Sequence, residues 1–195
     1  KIHRNDKELV MQAVKNSGYA LQYVGENLKK DKTIVMEAVK NTGNIIQYAS
    51  NKLKNDRLVV LEAVKNSGYA LQYVGENLKK DKEIVLIAVK ENGINLEYAD
   101  ESLKKDREIV LAAVKNAGHA LEYANESLKK DREIVLAAVK NFGTSLSFAD
   151  ESLKKDKVIV LAAVKQDAYA MNFTNDTRFF KDKDFRDYLY ELEDF

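Results

Sequence analysis

The sequence contains no cysteine and no proline. The first absence excludes disulfide bonds, thiolate metal ligands and cysteine nucleophiles, and the second removes the usual marker of linkers and helix breaks. No stretch reaches the roughly 18 apolar residues that a membrane-spanning helix needs. Because 32 Lys and Arg residues balance 31 Asp and Glu residues, net charge does not favour nucleic acid or a membrane as partner. The cytoplasm is the most compatible compartment.

A repeat with a period of 25 residues runs through most of the chain. Its phrase is D[KR]xIVLxAVKNxGxxLxYxxExLKK, and no insertion interrupts it. The seven repeats start at Asp6, Asp31, Asp56, Asp81, Asp106, Asp131 and Asp156. A fixed period of this length is typical of stacked repeats, so we predict a single elongated domain over residues 1–195. Because the chain begins partway through the phrase, we expect it to be a fragment of a longer protein.

The first half of each repeat predicts a short α-helix. In repeat 5, Asp106 is a good N-cap because its carboxylate can accept hydrogen bonds from the unpaired N–H groups at a helix start. Ile109, Val110, Ala113 and Val114 follow at the spacing of one helical stripe. We therefore expect these four positions of every repeat to be buried.

A glycine separates this helix from the second half of the repeat. We expect Gly118 and its equivalents to end the first helix in a left-handed conformation. A second helix is predicted from about His119 to Lys129. Helices this short are unstable alone, but stacked neighbours bury both apolar stripes. The prediction is an all-α solenoid of seven two-helix repeats.

Residues 182–195 depart from the repeat phrase. Four apolar residues share one face of the helix predicted there: Phe185, Tyr188, Leu189 and Leu192. The opposite face is largely acidic. Because a terminal repeat needs a polar outer cover, we predict a C-terminal capping helix from about Asp182, with an acidic partner-binding tail as the alternative. At the other end His3 replaces the usual leucine, which indicates a boundary.

The repeat phrase resembles a known family. The unit DREIVLAAVKNAGHALEYANESLKK, which starts at Asp106, is similar to the tandem repeats catalogued as domain of unknown function 4116. The resemblance covers residues 6 to about 178. It implies a repeat architecture and brings no established activity, cofactor or catalytic residue. Since members often carry other modules, one alternative is that this chain is an accessory arm of a larger protein.

The residue directly after the glycine that separates the two halves of a repeat, which is replaced by Ala168 in repeat 7, varies most among the repeats. It reads Tyr19, Asn44, Tyr69, Ile94, His119, Thr144 and Tyr169. On the predicted second helix it shares an exposed face with the positions three and seven residues later. Fixed core positions beside a variable surface suit a scaffold that binds another protein or peptide. The residues that we predict to contact this partner are Tyr19, Tyr69, Ile94, Glu97, Tyr98, His119, Glu122 and Tyr123. Drift of unconstrained surface positions is the alternative.

Two other rows of residues have alternative interpretations. Tyr23, Tyr48, Tyr73, Tyr98 and Tyr123 form a row continued by phenylalanines, which we interpret as packing between repeats, with a peptide groove as the alternative. The Lys-Lys pair before each Asp could line up along a polyanion such as nucleic acid. Because acidic residues share that edge, we interpret it as a solvated surface.

Nothing in the sequence indicates catalysis or a metal site. His119, Glu122 and Glu126 share one helical face, but no second histidine is near, so we predict no metal and no cofactor. The chain has two histidines and no glycine-rich phosphate loop, and no carboxylate falls in a core position. We therefore predict that the protein is not an enzyme and that it is a monomer.

Overall fold

The computed structural model describes residues 4–174, 176–183 and 185–187. These residues form α-helices and 3-10 helices and contain no strand. They divide into two compact units, Lys1–Leu103 and Lys104–Phe195. In each unit the first helices of consecutive repeats pack on one another, and so do the second elements. The all-α solenoid architecture is confirmed, while the single elongated domain stays a prediction. Within the described part of the chain, every helix is too short or too polar to cross a membrane.

Every repeat begins with an α-helix of ten residues. These helices span Lys7–Asn16, Lys32–Asn41, Arg57–Asn66, Lys82–Glu91, Arg107–Asn116, Arg132–Asn141 and Lys157–Gln166. The predicted N-cap is confirmed: the Asp106 carboxylate accepts from the backbone N–H groups of Glu108 and Ile109 at 3.0 and 3.2 Å. The other six repeat-starting aspartates cap their helices in the same way.

The apolar stripe of the first helix forms the core, as predicted. Ile109, Val110, Ala113 and Val114 are fully buried, and so are the equivalent residues of repeats 2, 3, 4, 6 and 7. Repeat 1 differs from the prediction, because Leu9 is 48% exposed and Ala13 is exposed too, at positions that are buried in the other six repeats.

The prediction of a left-handed glycine at the end of the first helix is wrong. None of the described residues, glycines included, has a positive φ. The helix ends instead at one extended residue, and Ala117 has φ −141° and ψ 108°. Gly118 is needed for a different reason: a Cβ there would lie 2.5 Å from the carbonyl oxygen of Ala138 and 2.9 Å from Cβ of Phe142. Glycine therefore allows close stacking of the next repeat.

The second half of each repeat is not the single helix predicted from about His119 to Lys129. It is a six-residue 3-10 helix that ends at an extended residue and is followed by a short turn. The 3-10 helices span Gly18–Tyr23, Gly43–Tyr48, Gly68–Tyr73, Gly93–Tyr98, Gly118–Tyr123, Gly143–Phe148 and Ala168–Phe173. The short turns that have helical geometry are Leu28–Lys30, Asn51–Lys54, Leu78–Lys80 and Leu153–Lys155.

The spacing of the buried residues explains the 3-10 geometry. Gly118, Leu121 and Ala124 lie three residues apart and are all buried. A 3-10 helix has three residues per turn, so residues i and i+3 lie directly above one another. This geometry turns Gly118 and Leu121 toward the core, whereas an α-helix would turn them about 60° apart. Ala124 is the extended residue that follows the helix.

In several repeats the polar residue that ends the first helix connects it to the preceding repeat. The Asn141 amide donates to the carbonyl of Lys115 at 3.1 Å, and its side-chain oxygen accepts from the N–H of Gly118 at 2.7 Å. Asn66 makes the equivalent pair of bonds to Lys40 and Gly43. One side chain thus satisfies a carbonyl at the helix end and the first N–H of the 3-10 helix.

The end of the last repeat is covered by residues that follow it. Asp176 caps a 3-10 helix at Thr177–Lys181, and the buried rings of Phe179 and Phe185 stack with centroids 4.9 Å apart. Residues 183 and 185–187 are helical. The rest of the predicted capping helix, residues 188–195, and His3 lie outside the described residues.

Candidate protein-binding surface

The residue after each glycine and the residue three positions later share one side of the 3-10 helix; we call this the variable face. Tyr19, Tyr69 and Tyr169 are 54%, 42% and 63% exposed on it. Glu97 and Glu122 are exposed as well. The positions seven residues on, such as Glu126, belong to the following turn and not to the same helix. The variable face therefore comprises two positions in each repeat and not the three that the sequence predicted.

Three tyrosines of the first unit come together; we call Tyr69, Tyr73 and Tyr98 the tyrosine cluster. The Tyr69 and Tyr98 rings lie 5.6 Å apart between centroids at 88°, and the Tyr69 and Tyr73 rings lie 6.0 Å apart at 78°. Both contacts are edge-to-face, a favourable geometry for aromatic pairs. The structure thus unites two predicted site residues and adds Tyr73, which the sequence assigned to packing.

The phenols of Tyr73 and Tyr98 lie in a partly desolvated environment. Burial raises the pKa of Tyr98, and the neighbouring Tyr69 hydroxyl and Glu97 carboxylate raise it further. The pKa of Tyr73 is raised by burial and by Tyr69. Among the described residues, no cation forms an ion pair with Glu97. Both phenols stay neutral at physiological pH, and Glu97 leaves an exposed negative charge beside them.

In the second unit, the predicted site residue His119 packs against the next repeat. Its ring lies 4.1 Å from Phe142 and 6.0 Å from Phe148, and its Nε2 is 3.3 Å from Oγ1 of Thr144. His119 is half-buried as a result. Phe142 is 39% exposed and was missed by sequence reasoning, although it is a large apolar residue where other repeats carry small or polar ones.

The two remaining predicted residues, Ile94 and Tyr123, also lie on the 3-10 helices. Ile94 and Tyr123 are half-buried on the 3-10 helices of repeats 4 and 5. Ile94 belongs to the first unit and Tyr123 to the second. Throughout the described chain, no group of three or more acidic, histidine or cysteine side chains is arranged to hold a metal ion.

The lysine edge is occupied by ion pairs. The first lysine of four Lys-Lys pairs contacts the glutamate three residues before it, with N–O distances of 2.8 to 2.9 Å. These lysines are Lys29, Lys79, Lys129 and Lys154. In repeats 3 and 5, the second lysine lies 3.8 and 3.7 Å from an aspartate of the next repeat. The positive charges along this edge are thus largely matched by negative ones.

A family model described as "Domain of unknown function (DUF4116)" matches residues 6–54, 56–104, 81–129 and 131–177. The chain belongs to the DUF4116 family. No curated protein and no solved structure matches it. Each matched segment of this DUF4116 chain covers about two of its 25-residue repeats. The family description names no activity.

Proposed function

We propose that this DUF4116 protein is a non-catalytic scaffold that binds another protein or a peptide through its variable face. The observation that carries the proposal is the contrast within one short helix. Tyr69 is 42% exposed and varies among repeats, while Leu71 two positions later is fully buried and conserved in type. Tyrosines are enriched at protein interfaces because they offer a large contact area together with a hydroxyl group.

Polyanion binding along the Lys-Lys edge is the weaker alternative. Lys29, Lys79, Lys129 and Lys154 are already paired with carboxylates. A phosphate backbone would have to displace those carboxylates, which reduces the gain from counterion release. Binding that falls steeply with salt and persists after changes to the variable face would favour this alternative.

Three further expectations belong to the same proposal. We expect no enzymatic activity and no cofactor, a cytoplasmic location, and a monomer in solution. Cell fractionation and sedimentation analysis test the last two directly. The sequence of the complete protein tests whether this chain is the accessory arm of another module.

A photo-cross-linking amino acid tests which face binds. It is placed at Tyr69 on the variable face and, as a matched control, at Leu58, which is 61% exposed on a first helix. We expect cross-links to a discrete protein or peptide from position 69 and few from position 58. Equal cross-linking from both positions would contradict the proposed surface.

A further inference from the structure

The tyrosine cluster brings three aromatic rings together at a partly exposed position. The Tyr69 ring stands nearly perpendicular to Tyr98 and to Tyr73, at 88° and 78°. Perpendicular rings present their faces in different directions, and Tyr69 itself remains 42% exposed. The face of an aromatic ring carries partial negative charge that attracts cations.

A carboxylate adds a full negative charge at the same place. Glu97 directly precedes Tyr98, is exposed, and raises the pKa of the Tyr98 phenol through its charge and a hydrogen bond. Within the described chain, no lysine or arginine neutralises it. The nearby Glu76 differs, because Lys79 pairs with it at 2.8 Å.

We propose that Tyr69, Tyr73, Tyr98 and Glu97 bind an arginine side chain of a basic segment in the partner protein. The inference rests on the proposed protein-binding function and specifies which side chain of the partner is bound. Charge complementarity decides the class of occupant: electron-rich rings beside a carboxylate that forms no ion pair favour a cation over an apolar or acidic group. Arginine fits best because a planar guanidinium can stack on a ring and donate to a carboxylate at the same time.

The equivalent position of the second unit lacks these features. His119 takes the place of Tyr69 and packs against Phe142 and Phe148, and Ser147 replaces the glutamate of repeat 4. Repeat 1 carries Tyr19 at the position of Tyr69, and Gln47 of repeat 2 stands at the position that Glu97 holds in repeat 4. Tyr19 is therefore a matched control, being an exposed tyrosine at the same repeat position without a carboxylate in the adjoining position.

Fluorescence anisotropy with three labelled peptides tests the inference. The probes are glycine-serine peptides of equal length that carry three arginines, three glutamines or three glutamates. We expect saturable binding of the arginine peptide alone. Tyr69→Ala should weaken it about two- to fivefold, the range for a partly exposed cation–π contact. Glu97→Gln should weaken it and reduce its dependence on salt.

Tyr69→Phe and Tyr19→Ala are the controls. Phenylalanine keeps a ring for the cation, so Tyr69→Phe should bind more tightly than Tyr69→Ala. Tyr19→Ala should leave the affinity unchanged. Equal loss in Tyr69→Phe and Tyr69→Ala, or equal loss in Tyr19→Ala, would overturn the assignment.

The test separates this inference from the proposed function. Equal binding of the glutamine peptide, lost in Tyr69→Ala, would overturn the cation site and leave a peptide-binding face intact. No binding of the arginine peptide would overturn the cation site as well. The photo-cross-linking result at position 69 then decides the proposed function independently.

Discussion

Arg57 of repeat 3 donates from Nε to Oδ2 of Asp81, the cap of repeat 4, at 2.7 Å. The other oxygen of Asp81 accepts from the backbone N–H groups of Glu83 and Ile84. The Asp81 carboxylate therefore caps the first helix of repeat 4 and also forms an ion pair with repeat 3. Equivalent ion pairs are Lys7–Asp31, Lys32–Asp56, Arg107–Asp131 and Arg132–Asp156. In these five repeats, the cation after the cap thus helps to hold consecutive repeats together.

These ion pairs predict loss of stability in acid. The hydrogen bond from Arg57 lowers the pKa of Asp81 below its ordinary value, and Lys32 does the same for Asp56. Because the folded pKa is depressed, the unfolded chain binds more protons in acid. The stabilisation is complete above the ordinary aspartate pKa of about 3.9 and is lost as the pH falls through the folded values. Urea unfolding between pH 7 and pH 2.5 should show this decline.

Asp81→Asn provides the control for this pH effect. Asparagine is also a good N-cap, so the variant keeps the cap and loses the charge that pairs with Arg57. We expect lower stability at pH 7 and a shallower decline in acid than in the unaltered protein. An unchanged acid profile would show that Asp81 does not contribute to it.

Gly118→Ala should destabilise the protein. The new Cβ would lie 2.5 Å from a backbone oxygen of the next repeat, and overpacking of this kind costs about 1–3 kcal/mol. Gly75→Ala is the control, because the three atoms nearest its Cβ would belong to the Asn55 side chain and not to backbone, and repeats 2, 4 and 6 carry Ser or Asp there. Urea unfolding should separate the two variants, and equal stability would contradict the close-approach role.

Asn141→Ala should also destabilise the protein. The change removes the bonds to Lys115 and Gly118. It leaves the partly buried N–H of Gly118 without its partner, at a cost of about 1–3 kcal/mol. Asn16→Ala is the matched control, since Asn16 is exposed at the end of the first helix of repeat 1. Comparable free energies of unfolding for both variants would refute the interrepeat role of Asn141.

The first helices could be predicted in detail because their determinants are local. Asp106 caps at a fixed distance before Ile109 and Val110, and both signals follow from helix geometry alone. The second elements were predicted with the wrong geometry, although the sequence held a clue. Gly118, Leu121 and Ala124 recur at three-residue spacing, which fits a 3-10 helix better than an α-helix.

The role of glycine and the contacts of the surface could not be predicted from one repeat. Glycine is required at position 118 because a Cβ there would clash with Ala138 and Phe142, which lie about one repeat away in sequence. The sequence placed Tyr69 and Tyr98 on the surface, but their contact depends on how repeats 3 and 4 stack. His119 was predicted to be an exposed partner residue, and its packing against Phe142 follows from the same stacking.

Affinity capture with a variable-face variant tests the central claim most directly. The variant combines Tyr69→Ala, Glu97→Gln and Glu122→Gln, three exposed positions, and leaves the packed His119 unchanged. Both proteins are checked for equal helicity and exposed to nuclease-treated lysate near physiological salt. We predict a discrete protein retained by the unaltered chain and lost by the variant. Equal retention by both, or capture of nucleic acid alone, would contradict the account.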